Sequence, residues 1–119
     1  MSVIKLEPAG DPTTSLTVSE LVPKSAFTTS DTTELIHYHH LDEVSGVSSG
    51  VWKCAPSKEA FESYPVDEMM TVLAGSVTVT NADGLAATFK SGDTFFISKG
   101  TECIWEITET LHKFFMISE

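Results

Sequence analysis

The sequence lacks the features that mark membrane proteins and nucleic-acid-binding proteins. No apolar run approaches the roughly 20 residues that a membrane-spanning helix needs, and the first residues contain no apolar stretch of signal-peptide length. Lys and Arg together number only 7, against 17 Asp and Glu, which gives a net charge of −10. Such a surface repels phosphate backbones and anionic lipid. We therefore expect a cytoplasmic protein with neither a nucleic-acid partner nor a membrane.

Cysteine is also scarce. Cys54 and Cys103 are the two cysteines, and their spacing fits neither a zinc knuckle nor a CxxC redox motif. We expect both thiols to be free and buried. No cationic residue lies within two positions of Cys103, so nothing in its sequence neighbourhood would lower the thiol pKa for nucleophilic attack.

What the sequence does contain is a succession of short strand signals. The length of 119 residues suits one domain. Residues 1–33 are rich in Ser and Thr and predict an arm with one or two short strands, whereas residues 34–119 predict strands of five to eight residues separated by turns. No window shows a sustained helical period of apolar residues. The pattern predicts an all-β barrel or sandwich, with residues 55–63 in a loop.

Two segments resemble the paired cupin motifs, namely EMMTVLAG at 68–75 and GDTFFISKG at 92–100. Cys103 follows at the last ligand position of the second motif. The segments GVWKCAPSKEAF and TECIWEITETLHKFF are similar to the entry strand and the ending of one branch, the small cupins grouped with ureidoglycine aminohydrolase and the ethanolamine-utilisation cupins. The resemblance covers about residues 46–117. It implies a single antiparallel jelly-roll barrel of the RmlC-like type.

The resemblance also indicates where a metal would bind. Metal-binding cupins typically use two histidines and a glutamate from the first motif and a histidine from the second, and the aminohydrolase pattern is Glu, His, His, Gln. The corresponding positions here are Glu62, Tyr64, Glu68 and Cys103, and a register shifted by one residue supplies no histidine either. We therefore expect no His-bound metal, with one divalent cation held by this unusual set as the alternative.

A second match to the first motif runs from His37 through His39 and Glu43 to Gly50. The residues between Glu43 and Gly50 predict a loop rather than a barrel strand, so we interpret this match as chance. His37 and His39 share one face of a strand and could still be neighbours, as ordinary strand histidines or as groups with an acid–base role.

The expected ligand pocket surrounds Glu68. In an apolar barrel its carboxylate would suit proton transfer, and a hydrogen-bonded structural acid is the alternative. The pocket residues that we predict are Trp52, Glu62, Tyr64, Glu68, Met70, Cys103 and Trp105. Core filling is the alternative role for the aromatic residues. We expect His112 and Lys113 at the surface.

Three functions fit these observations. The first is a small-molecule-binding cupin without a metal. The second is an enzyme acting on a small nitrogenous or carboxylated metabolite, with Glu68 as acid or base. The third is a structural dimer without a ligand. In each case we expect a homodimer, formed through an apolar outer face with Leu73, Ile104 and the FFMI segment as candidates.

Overall fold

A computed structural model describes residues 2–119 and consists almost wholly of antiparallel strands. No helix among these residues is long and apolar enough to cross a membrane. A single short 3₁₀ turn, Lys24–Ala26, lies in the N-terminal arm. The strands are β1 (Thr17–Val18), β2 (Glu34–Asp42), β3 (Val47–Cys54), β4 (Ser57–Phe61), β5 (Asp67–Asn81), β6 (Ala86–Lys90), β7 (Thr94–Ile97) and β8 (Cys103–Ser118).

Two long strands, β5 and β8, form the spine of the fold. They pair from Asp67↔Ser118 to Asn81↔Cys103. The first half of β5 also pairs with β7 and its second half with β6, while β8 pairs first with β4 and then with β3. Strands β2 and β1 extend the sheet beyond β3. The result is a jelly-roll, as predicted, in which one half of each long strand belongs to each of two facing sheets.

The long strands bend near Gly75. The β5–β8 register shifts between Val72 and Val77, and Gly75 has a φ of +78°. A Cβ atom at this position would lie 2.0 Å from the carbonyl oxygen of Thr110. Only glycine tolerates both the positive φ and this close approach of backbone. The buried face of β5 consequently changes from even to odd residues across the bend.

Two details of the predicted strands were wrong. Residues 57–61, predicted as a loop, form β4, which pairs with the start of β8. The sequence pattern also predicts two separate strands at residues 101–109 and 112–118, whereas the structure has one strand of 16 residues, β8. In both places, pairing with a neighbouring strand satisfies backbone groups that a local sequence pattern does not reveal. Strands β2 and β3 lie where the sequence pattern predicts strands, at residues 34–41 and 47–55, and Cys54 and Cys103 are free and buried as expected.

Candidate functional site

A cavity of about 730 Å³ lies inside the barrel. This volume falls within the range of about 300–1,000 Å³ that small-molecule sites occupy. Its walls are mainly aromatic and aliphatic, and they include both tryptophans of the chain. The apolar lining residues are Leu21, Val22, Ile36, Tyr38, Leu41, Trp52, Phe61, Tyr64, Pro65, Val66, Trp105, Phe115 and Ile117.

Three buried polar side chains form a cluster in the cavity wall. The Lys113 ammonium lies 2.7 Å from Oε2 of Glu68, and the Tyr64 hydroxyl donates to Oε1 of the same carboxylate at 2.6 Å. Each of the three residues is at most 6% exposed. Burial, with the adjacent Glu68 charge, raises the pKa of Tyr64 far above its usual value. Tyr64 is therefore a permanent hydrogen-bond donor to Glu68.

Lys113 is also held between the two indole rings. Its Nζ lies 4.7 Å from the ring centroid of Trp52 and 4.8 Å from that of Trp105, distances at which a cation is attracted to the face of an aromatic ring. Met70 contributes a further contact, with Sδ 3.2 Å from Nζ. The carboxylate, the two rings and the sulfur together replace the water that a lysine ammonium would otherwise hold.

The expectation that Lys113 lies at the surface was wrong, since it is 5% exposed. The signal that could have revealed it is strand parity. Lys113 lies an even number of residues after Trp105, so the two side chains share the inner face of β8. The neighbouring His112 is half-buried on the opposite face, and its Nε2 lies 2.8 Å from the Pro8 carbonyl oxygen.

The buried Glu34, which is not among the predicted site residues, positions Trp52. Oε2 of Glu34 accepts the Trp52 indole N–H at 2.9 Å and the Ser19 hydroxyl at 2.5 Å. Oε1 accepts the backbone N–H of Val22 at 2.8 Å. Glu34 thus attaches the arm segment that carries Leu21 and Val22, both cavity residues, to the barrel. The sequence signal for the burial of Glu34 was its position two residues before Ile36, which puts both side chains on the same face of β2.

The predicted pocket residues separate into three groups. Trp52, Tyr64, Glu68 and Trp105 line the cavity. Met70 and Cys103 are buried, but neither lines it. Glu62 is exposed in the loop between β4 and β5 and also lies outside the lining. The structure therefore does not bring Glu62 and Glu68 together at one point of the cavity, as an enzymatic site that uses both acids would require, because the chain turns outward after β4.

The thiols and histidines lie apart from the cavity. Burial raises the pKa of Cys103, and it raises the pKa of Cys54 to about 12, so both thiols stay protonated. His37 and His39 are neighbours, as their shared strand face suggested, with ring centroids 4.6 Å apart. Nε2 of His39 accepts the backbone N–H of Glu7 at 3.0 Å, so the pair contacts the N-terminal arm.

The side chains around Glu68 do not fit a divalent metal. Of the four candidate ligands, neither Glu62 nor Cys103 lines the cavity. The Tyr64 hydroxyl and the Lys113 ammonium already engage both oxygens of Glu68. Within residues 2–119, no group of three or more His, Cys, Asp or Glu side chains is arranged to hold a metal ion. The buried cation at this carboxylate is Lys113.

Comparison with known proteins places the fold in a family. No curated protein matches the sequence. A DUF861-family protein of unknown function from Pseudomonas syringae is 25% identical with a TM-score of 0.79, and the match covers 92% of this chain and 46% of that one. This chain therefore spans less than half the length of that relative. EutQ from Clostridium difficile is 17% identical with a TM-score of 0.62, over 86% of this chain and 79% of that one.

A protein from Salmonella typhimurium described as ethanolamine utilization protein Q is similar at the level of the fold. It is 19% identical with a TM-score of 0.60, and the match covers 72% of this chain and 69% of that one. The model of the EutQ-like cupin domain matches residues 41–115, well over half of the chain. The chain therefore belongs to the EutQ-like cupin family.

Proposed function

We propose that this cupin binds a small organic molecule in the barrel cavity, with no metal at the site. The observation that carries the proposal is the combination of a cavity of about 730 Å³ with a fixed polar cluster, Tyr64–Glu68–Lys113, in an otherwise mainly apolar wall. Small-molecule sites commonly pair an apolar lining with a few placed polar groups. A purely structural barrel would instead fill its interior with side chains.

The two tryptophans provide a direct test. Trp52 and Trp105 both line the cavity, so a bound molecule should change the intrinsic fluorescence of the protein. A panel of small aromatic and aliphatic compounds should include some that give a saturable change. The half-buried Val66 lines the cavity, and Val66→Phe should weaken the response by filling space. Val44, which is 99% exposed and outside the lining, provides the matched control Val44→Phe.

The outcome of this pair of variants decides the proposal. A response lost in Val66→Phe and kept in Val44→Phe supports binding inside the barrel. An equal response in both variants would place the binding elsewhere, and no saturable response to any compound would contradict the proposal.

The enzymatic alternative, with Glu68 as acid or base, is less well supported. Both oxygens of Glu68 are already engaged by Tyr64 and Lys113, and no second carboxylate converges on it from Glu62. Catalysis by Glu68 predicts that Glu68→Gln abolishes turnover of a bound metabolite while the protein stays folded. The binding proposal predicts that no compound that binds is chemically changed, which mass spectrometry of the recovered compound would check.

We also propose a homodimer formed through the outer sheet face. Met69, Phe96 and Met116 are cross-strand neighbours on β5, β7 and β8, and each is more than 40% exposed. Two copies that each carry a charge of −10 can approach most easily at such an uncharged face. Sedimentation should give the mass of two chains for the unmodified protein and for Leu85→Lys, and of one chain for Phe96→Lys. A single-chain mass for the unmodified protein would exclude the dimer.

A further inference from the structure

The charges around the cavity are strongly one-sided. The lining contains five acids, Asp42, Glu43, Glu59, Glu68 and Glu119, and a single basic residue, Lys113. The ion pair with Glu68 already compensates Lys113. The lining therefore has a net excess of negative charge, which disfavours an anionic guest and favours a positively charged one.

Glu59 is the acid best placed to meet a guest. It lies on β4 directly opposite Trp105 on β8, so the two side chains share one face of the sheet. Its carboxylate makes no hydrogen bond or ion pair with any residue from 2 to 119. Burial, together with the nearby Glu34 charge, raises the pKa of Glu59. A half-buried carboxylate without a partner gains from a cation more than an exposed one does.

The indole N–H of Trp105 is a second group without a partner. Trp105 is 5% exposed, and among the described residues no acceptor takes its Nε1 hydrogen. The one enclosed side-chain nitrogen or oxygen found without a partner in this part of the chain is Nδ1 of His39. The Trp105 nitrogen is therefore not fully enclosed by protein atoms, and the ring that carries it lines the cavity.

We infer that the cavity selects a small organic cation, whose protonated nitrogen pairs with Glu59 and whose neighbouring acceptor atom receives the Trp105 N–H. This inference rests on the proposed binding function and names the class of its ligand. The aromatic wall supports the same choice, because the faces of aromatic rings attract cations and repel anions. The apolar body of the guest lies against Phe61 and the aliphatic residues of the lining.

Three compounds of nearly equal shape test the charge preference, namely benzylamine, benzyl alcohol and benzoate. Titrations followed by tryptophan fluorescence, at about pH 8 so that Glu59 is ionised, should give the tightest binding for benzylamine. Glu59→Gln should weaken benzylamine binding by about tenfold, equivalent to about 1.4 kcal/mol, and leave benzyl alcohol unchanged. Glu62→Gln is the matched control, because it removes the same charge from an exposed position outside the cavity lining.

The outcomes separate this inference from the binding proposal. If benzoate binds as tightly as benzylamine, or if Glu59→Gln and Glu62→Gln have equal effects, the cation preference is wrong while binding in the barrel stands. If none of the three compounds binds to the unmodified protein, both the inference and the binding of such molecules are contradicted. Trp105→Phe, which keeps the ring and removes the N–H, should weaken an amine with an adjacent hydroxyl, 2-amino-1-phenylethanol, more than it weakens benzylamine.

Discussion

Breaking the buried ion pair between Lys113 and Glu68 by removing one partner should strongly destabilise this fold. Lys113→Met keeps a long, flexible side chain between the indoles but removes the ammonium 2.7 Å from Glu68. The carboxylate is then left in a site that is 5% exposed, with Tyr64 as its remaining partner. Removing one partner of a buried pair costs about 3–5 kcal/mol, because the other charge stays buried and uncompensated. The total stability of a small domain is only about 5–15 kcal/mol.

Urea unfolding measures this loss directly. With a slope of about 1.5 kcal/mol per molar urea, the midpoint of Lys113→Met should fall by about 2–3 M. Lys53→Met is the matched control, because Lys53 is exposed on β3 and should change stability by no more than about 0.5 kcal/mol. The double variant Lys113→Met with Glu68→Gln should recover at least half of the loss, since it buries no unpaired charge.

Two results would refute this reasoning. A loss below about 1 kcal/mol in Lys113→Met would give the pair no more weight than an exposed ion pair has. A double variant no more stable than Lys113→Met alone would show that the cost comes from packing between the indoles rather than from the unpaired carboxylate.

Three further predictions concern stability in urea or its dependence on pH. Tyr64→Phe should cost about 1–3 kcal/mol because it leaves a buried carboxylate oxygen without its donor, and an unchanged urea midpoint would contradict this. Gly75→Ala should cost at least about 2 kcal/mol, since its Cβ would meet a β8 carbonyl oxygen at 2.0 Å, whereas Gly84→Ala, with nothing within 4 Å, should cost less. Burial, followed by the charge of His37, lowers the pKa of His39 below its usual 6.5. The contribution of His39 is therefore complete above about pH 6.5 and is lost as the pH falls through the lowered pKa. His39→Leu should remove that part of the pH dependence, and an unaltered profile would exclude the role of His39.

The fold could be predicted from local patterns because the strand period, the turn glycines and the cupin-like spacing all indicate the same β-barrel. The alternation that buries Trp52 and Cys54 and exposes Lys53 is visible in the sequence and present in the structure. Strand β4 was missed because its pairing partners in β8 are distant in sequence, from Phe61↔Cys103 to Ser57↔Ile107. A pairing of that kind is decided by the closed barrel rather than by the residues of the strand itself.

The site was harder to predict because its buried cation, Lys113, is not at any of the positions where metal-binding cupins have their ligands. Of the residues that the sequence patterns selected, Glu68, Tyr64 and both tryptophans line the cavity. The patterns gave no indication that Glu62 points away, since the turn after β4 breaks the strand parity on which that expectation depended. Lysine is ordinarily exposed, so we expected Lys113 at the surface even though strand parity places it on the inner face of β8.

The position of Lys113 also limits the chemistry that this barrel can perform. A metal ion can keep an open coordination position for a substrate oxygen, whereas the Lys113 ammonium is enclosed by a carboxylate, a thioether and two rings. Its charge is used to fix Glu68 and Tyr64 in place. Glu59, a half-buried acid of the lining opposite Trp105 in the sheet, has no partner among residues 2–119 and remains free to respond to a guest. A polar cluster that is already fixed, beside a half-buried carboxylate that is not, supports the proposed binding of a guest better than it supports the enzymatic alternative.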